Sequence, residues 1–216
     1  MNHRIRPGAA GTAVPGGQDG GMRLFVALVP PEETLDALRA AVAEGRRHTP
    51  GLRWAPPGDW HITLVFLGEV DEEDLTDLAD ALGAVAGSHA PFEIAVRDWG
   101  RFPPDRARSS VLWAGVTGDT DALDSLALGM RAAARSVRIP VETRPYVPHV
   151  TVARSRRPRD LSDTVRALGP LRGRPWSARL VHLVESRPGT DDPYRTVRTW
   201  TLGWEPDPRS PERSTS

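Results

Sequence analysis

Trp60-His61-Ile62-Thr63-Leu64-Val65-Phe66-Leu67-Gly68 decides the reading of this chain. It is a β-branched and aromatic run set off by the turn Pro56-Pro57-Gly58, and that composition predicts a strand over 60–68. Side chains alternate between the faces of a strand, so His61 and Thr63 share one side while Ile62 and Leu64 share the other. The same pattern returns at His149-Val150-Thr151-Val152. Each copy offers an imidazole and a hydroxyl on a polar face, and each has an apolar face to anchor it in a core. Two such strands facing each other would hold two histidines around one small substrate group. That is a layout for general acid and general base work near neutral pH.

Outward from these segments the pattern alternates between strands and helices. Arg23 to Leu28 reads as a strand closed by Pro30 and Pro31. Helical spacing of apolar residues follows over 32–47, with Leu35, Leu38, Ala41 and Val42 on one face. A short extended piece is expected at Arg53-Trp54, a second helix over 72–85, and strands over 92–99 and 110–116. The later part repeats the rhythm, with a helix over 121–137, the strand 149–154, a short helix over 161–168, and strands over 178–185 and 196–204. The fold class expected is α+β, in two related lobes, each an antiparallel sheet flanked by helices around one His-x-Thr strand. Residues 1–21, rich in Gly, Ala and Pro, and 205–216, with Pro206, Pro208 and Pro211, read as disordered tails around a domain spanning 22–204. Met22 is a plausible alternative start.

The totals narrow the function. A chain of 216 residues with no net charge suits one domain with a full core. It has no cysteine, which excludes disulfides and thiolate metal sites. The apolar runs are too short to span a bilayer, and the first residues lack a signal-peptide core, so a cytoplasmic location is expected. All 28 basic residues are arginine, which fits codon usage in a GC-rich genome. Zero net charge argues against coating nucleic acid by bulk electrostatics but leaves room for a local basic groove.

Other residues have weaker claims. Pro148 holds the entry to the second motif extended. Trp60 reads either as a neighbour of the His61 ring or as core. Counting by twos from His149 passes Thr151 and Ala153, so Arg154 nominally points away from the cleft; a bulge would turn it inward, toward a phosphate. Arg156, Arg157 and Arg159 read as a loop, either a solvated charge run or the approach of a nucleic-acid strand. Tyr146 is a candidate for base stacking, against the alternative of a core aromatic. His3, His48, His89 and His182 lack the pattern and receive no role. There is no phosphate loop, no dinucleotide fingerprint and no His-Glu-x-x-His pair, and two histidines alone make a poor zinc site.

The paired motif resembles the 2H phosphoesterase superfamily, and within it the RNA 2′,3′-cyclic phosphodiesterase branch, also described as bacterial 2′-5′ RNA ligase. The resemblance covers most of 22–204. It is carried by Arg23-Leu24-Phe25-Val26-Ala27, by Trp60 to Glu69, by Val111-Leu112-Trp113-Ala114-Gly115 and by Pro148 to Arg154. It implies two pseudo-symmetric lobes with a central cleft carrying both motifs. It implies hydrolysis of an RNA or nucleoside 2′,3′-cyclic phosphate to a 2′-phosphate, with neither metal nor cofactor. Under it His61 is the proton donor, His149 the proton acceptor, and Thr63, Thr151, Arg154 and Tyr146 bind substrate. The expected partner is RNA with a cyclic phosphate end, with no membrane and a monomeric state. Alternatives left open are 2′-5′ ligation of RNA ends, hydrolysis of a small cyclic nucleotide or ADP-ribose cyclic phosphate, and a non-catalytic module that binds RNA ends.

Overall fold

A computed structural model describes residues 21–190 and 193–203 of the chain. The expected tails, 1–21 and 205–216, lie outside the described residues apart from Gly21. The strands are β1 (Met22–Leu28), β2 (Arg53–Trp54), β3 (Ile62–Val70), β4 (Phe92–Phe102), β5 (Ser109–Gly118), β6 (His149–Arg159), β7 (Trp176–Ala178), β8 (Leu180–Ser186) and β9 (Tyr194–Thr201). The helices are α1 (Asp36–His48), α2 (Leu75–Ser88), α3 (Thr120–Ser136) and α4 (Ser162–Leu168).

All the strands join one antiparallel sheet in the order β7-β4-β5-β6-β3-β1-β8-β9, and β2 adds to β6. The two motif strands are the central neighbours, and they meet at a single pair, Ile62 opposite Val150. That pair marks a pseudo-dyad. On one side β3, β1, β8 and β9 form one lobe; on the other, β6, β5, β4 and β7 form the second. The lobes are therefore not successive halves of the chain, because the C-terminal strands β8 and β9 return to complete the first lobe. The motif strands also lie side by side in one sheet rather than facing each other across two.

Alternation explains the layering. Leu24, Val26 and Leu28 of β1 pack into the main core with α1, α2 and α3 residues such as Leu38, Leu82 and Leu126. Phe25 and Ala27 point to the other face, where they meet Val184 and Tyr194 in a small second cluster. The helices thus cover one face of the sheet and leave the face with the motif histidines open. Trp60 belongs to the main core and is fully buried, which resolves its two sequence readings.

Local chemistry fixes the helices. Asp119 accepts a hydrogen bond from the Ala122 amide at 3.0 Å and starts α3. In α1, Asp36 lies in the first turn and Arg46, Arg47 and His48 in the last, matching the helix dipole at both ends. Gly45 permits a close crossing, since a Cβ there would lie 2.6 Å from Leu168 of α4 and 2.9 Å from Trp54 of β2. Two strands run longer than the pattern predicts. β4 continues to Phe102, and β6 continues through the supposed arginine loop to Arg159.

Candidate active site

The site is built on the Ile62–Val150 pair. Counting outward from it in an antiparallel ladder sets His61 across from Thr151 and Thr63 across from His149. The two motifs thus form a crossed square of two imidazoles and two hydroxyls. Among the described residues, the hydroxyls of Thr63 and Thr151 make no side-chain hydrogen bond, which leaves them available to a ligand.

Each histidine is fixed in the same way. The Nδ1 of His61 lies 2.8 Å from the carbonyl oxygen of Asp59, and that of His149 lies 2.7 Å from the carbonyl oxygen of Val147. A carbonyl oxygen only accepts, so each Nδ1 carries the proton. In the neutral ring Nε2 then keeps its lone pair for the open face. Rings pack each imidazole in place. Phe25 lies 5.0 Å from His61, while Phe102 and Trp113 lie 5.0 and 5.7 Å from His149.

Both motifs carry a β-bulge at the same position. Thr63 and Val65 pair with consecutive residues of β1, leaving Leu64 as the extra residue. Thr151 and Ala153 pair with consecutive residues of β5, leaving Val152 as the extra residue. The burial agrees: Leu64 and Val65 are both buried, as are Val152 and Ala153. A bulge shifts the alternation by one residue, so the next side chain on the open face comes three positions after each threonine. On β6 that residue is Arg154, and on β3 it is Phe66, 48 % exposed and 6.2 Å from Phe25. The structure thus gathers His61, His149, Thr63, Thr151 and Arg154 on one face and adds Phe66.

Electrostatics follow from this packing. Burial pushes the His61 pKa down to about 4; the tie to Asp59 works against this, and His149 and Arg154 add to it. Burial also lowers His149, opposed by its tie to Val147 and aided by Arg154. Arg154 therefore lies close to both rings. Burial lowers its own pKa, while Tyr194 beside it favours its charge and Arg53 across the β2–β6 pair disfavours it.

Tyr146 is drawn elsewhere. Its ring lies under the Arg131 guanidinium of α3 at 5.5 Å, and it packs on the main core. Burial raises its phenol above the usual range and Asp124 of α3 adds to this, with Arg131 opposing. Its ring contacts are thus those of the core-aromatic reading.

Sequence reasoning missed Phe66, Phe102, Trp113 and Tyr194. Phe66 was hidden by the Leu64 bulge, which no residue type announces. Trp113 stood in a run that carries the resemblance but was given no role, and Gly100 was a second signal. The Trp113 indole lies over that residue, and a Cβ there would come within 2.0 Å of the ring. His182 was given no role, yet it shares the open face, since it pairs with Ala27 just as Thr63 does. Its Nδ1 lies 2.9 Å from Thr199 Oγ1.

A sheet split by a pseudo-dyad, with a His-x-Thr pair on each side of it, fits the fold that the resemblance to the two-histidine phosphoesterases implies. A family model described as LigT like phosphoesterase matches residues 28–113 and 116–192, and the chain belongs to that family. Among its relatives, an RNA 2′,3′-cyclic phosphodiesterase of Thermus thermophilus is 34% identical over 185 residues, covering 82% of this chain and 87% of that protein. One of Geobacillus stearothermophilus is 28% identical over 190 residues, covering 87% of this chain and 60% of that longer protein. The crystal structure of TT0787 of Thermus thermophilus superposes with a TM-score of 0.71 at 33% identity, covering 85% of this chain and all of the other. Among the described residues no helix is long and apolar enough to cross a membrane.

Proposed function

We propose that this protein is an RNA 2′,3′-cyclic phosphodiesterase that opens a cyclic phosphate end to a 2′-phosphate without a metal ion. The observation that carries the reading is the pair of imidazoles, each tied through Nδ1–H to a carbonyl two residues back and each left with Nε2 on the shared face. The family membership and the names of the relatives support the reaction class.

The reaction needs a base on one side of phosphorus and an acid on the other. Neutral His149 takes a proton from the attacking water at Nε2. The new P–O bond forms as the bond from phosphorus to the 3′-oxygen breaks. Protonated His61 gives its Nε2 proton to that leaving oxygen. The assignment of donor and acceptor rests on the family resemblance, since the pseudo-dyad makes the two positions nearly equivalent. Thr63 and Thr151 donate hydrogen bonds to the non-bridging oxygens and hold the phosphorus between the rings. Arg154 adds a positive charge at the same anion, and Phe66 offers an exposed ring against which a base can stack. With both histidines depressed, the two imidazoles of the free site are mainly neutral at pH 7. An anionic substrate favours imidazolium, so the proton on His61 is stabilised as the phosphate arrives. Ligation to a 2′-5′ bond is the reverse of this chemistry, and water in molar excess drives the site toward hydrolysis.

The test is product analysis by phosphorus NMR of a short RNA ending in a 2′,3′-cyclic phosphate, incubated with the protein in EDTA. The expected result is clean conversion to the 2′-phosphate. A 3′-phosphate product, or activity lost in EDTA and restored by added metal, would overturn the reading.

A further inference from the structure

The two histidines are tied alike, yet the carbonyls that tie them are held by different means. The Asp59 carbonyl that meets His61 belongs to a short 3-10 turn, Pro57–Asp59. That turn closes on itself. The Asp59 amide donates to the Pro56 carbonyl at 2.9 Å, and the Trp60 amide to the Pro57 carbonyl at 3.2 Å. Trp60, fully buried, anchors its far end. The Val147 carbonyl that meets His149 has no such turn. Residues 140–148 form neither helix nor strand, and among the described residues they make no hydrogen bond between main-chain groups. Pro140, Pro145 and Pro148 have no N–H to offer.

One side chain of α3 takes the place of the missing turn. Arg131, half-buried, donates from Nη1 to the Arg144 carbonyl at 3.2 Å, and its guanidinium lies 5.5 Å from the centre of the Tyr146 ring. A guanidinium over a ring is attracted to it, the more so where it is partly out of water. The Tyr146 ring also packs on the main core. Arg131 therefore grips the chain three residues and one residue before Val147. Pro148 carries the restraint forward, because proline holds the residue before it extended. The Tyr146 hydroxyl takes no part: it is buried and, among the described residues, has no hydrogen-bond partner. Packing around His149 does not replace this grip. Phe102 and Trp113 fix where the imidazole lies. The acceptor beside Nδ1 decides which nitrogen carries the proton.

We propose that Arg131 and Tyr146 are positioning residues that clamp the Val147 carbonyl against His149 Nδ1 and so keep that histidine in the tautomer able to accept a proton at Nε2. They act through His149 and not on the substrate. The effect on rate rests on the cyclic phosphodiesterase reading; the effect on the imidazole is independent of any substrate. A neutral imidazole without such a partner divides its proton between the two nitrogens. Without the clamp, part of the enzyme would therefore carry the proton on Nε2 and could not serve as base. His61 has no need of a clamp, since its own turn holds Asp59.

The test reads the tautomers directly. The full chain with nitrogen-15-labelled histidine is measured by NMR at about pH 8, above the ordinary histidine pKa of about 6.5. His61→Gln and His149→Gln variants assign the signals. In the wild type both rings are expected to carry the proton on Nδ1. In Arg131→Gln the His149 signals move toward those of a free imidazole, while His61 keeps its own, which also shows that the variant is folded. On a cyclic-phosphate RNA, kcat falls by roughly tenfold with KM nearly unchanged, the scale of a small misplacement transmitted from a distance. Tyr146→Leu reproduces both changes, and Tyr146→Phe, which keeps the ring, restores both. Arg135→Gln, exposed and one turn further along α3, removes the same charge and leaves tautomer and rate at wild-type level. An unchanged His149 tautomer in Arg131→Gln overturns the clamp. A shift of both histidines together overturns it as well, since that marks a general loosening. A loss confined to KM overturns it in favour of direct contact with the substrate. If the wild type turns over no cyclic phosphate, the functional reading fails, and the tautomers by themselves still uphold or overturn the clamp.

Discussion

The strands β3 and β6 carry the same four-residue pattern, the same bulge after it and the same tie from Nδ1 to a backbone carbonyl, yet their surroundings differ. His61 is 9% exposed, while His149 is half-buried at the end of its strand. The residue brought in by the bulge is apolar Phe66 on β3 and cationic Arg154 on β6. Opposite the threonines, β1 offers the small Ala27 and β5 the large Trp113. A duplicated frame supplies two matched imidazoles; the replacements around it make one side a ring-lined wall and the other a positive one. In the proposed mechanism, symmetry sets the acid and the base on opposite sides of one phosphorus, and asymmetry orients the rest of the substrate.

The largest effect should come from removing either proton carrier. His61→Ala and His149→Ala are each expected to reduce kcat/KM by roughly 10²–10⁴-fold, the scale of lost general acid or base catalysis. A steady-state assay on a cyclic-phosphate RNA checks this, and near-normal turnover by either variant would break the two-histidine account. The next effect is on pH dependence. The productive free enzyme carries one proton on the pair, and both pKa values lie below the ordinary 6.5. From pH 7 to 9 kcat/KM should therefore fall by about tenfold per unit. A plateau through pH 8 would contradict the depressed values. Third, Thr63→Val and Thr151→Val each remove one hydrogen bond to a charged phosphate, expected to cost roughly tenfold to a hundredfold in kcat/KM. Unequal losses would show which side of the dyad holds the phosphate more tightly.

The smallest effect is on stability. Folded His61 stays neutral down to about pH 4, whereas a histidine in the unfolded chain takes its proton near 6.5. Between those values the unfolded state binds more protons, so stability is lost as pH falls through that window. His61→Gln should reduce the drop in Tm between pH 7 and 4.5. An equal drop in both proteins would place the acid sensitivity elsewhere.

Much of this was legible in the sequence. The helices came from apolar spacing, and their ends moved by only a few residues, as with the predicted 121–137 against Thr120–Ser136. His61, Thr63, His149 and Thr151 share the open face as alternation requires. What alternation could not give was whatever depends on the partner strand. The bulges at Leu64 and Val152 arise from pairing with β1 and β5, so the inward turn of Arg154 was only an option and Phe66 went unseen. Strand exchange between the lobes was hidden because pairing order is a long-range property. The arginines after Arg154 read as a loop because charge and Pro158 depress strand signals, while β6 continues through them to Arg159, which pairs with Ser109 of β5. Tyr146 lay close to His149 in sequence, but its ring and hydroxyl follow α3.

The most direct test of the central claim is a leaving-group experiment on the two alanine variants. The substrate is an RNA end whose cyclic phosphate carries sulfur in place of the 3′-oxygen. A thiolate leaves without needing a proton, so the acid becomes dispensable and the base does not. The account predicts that His61→Ala regains most of the wild-type rate on this substrate while His149→Ala stays crippled. Rescue of neither variant, or of His149→Ala alone, would contradict the assignment of His61 as proton donor and His149 as proton acceptor.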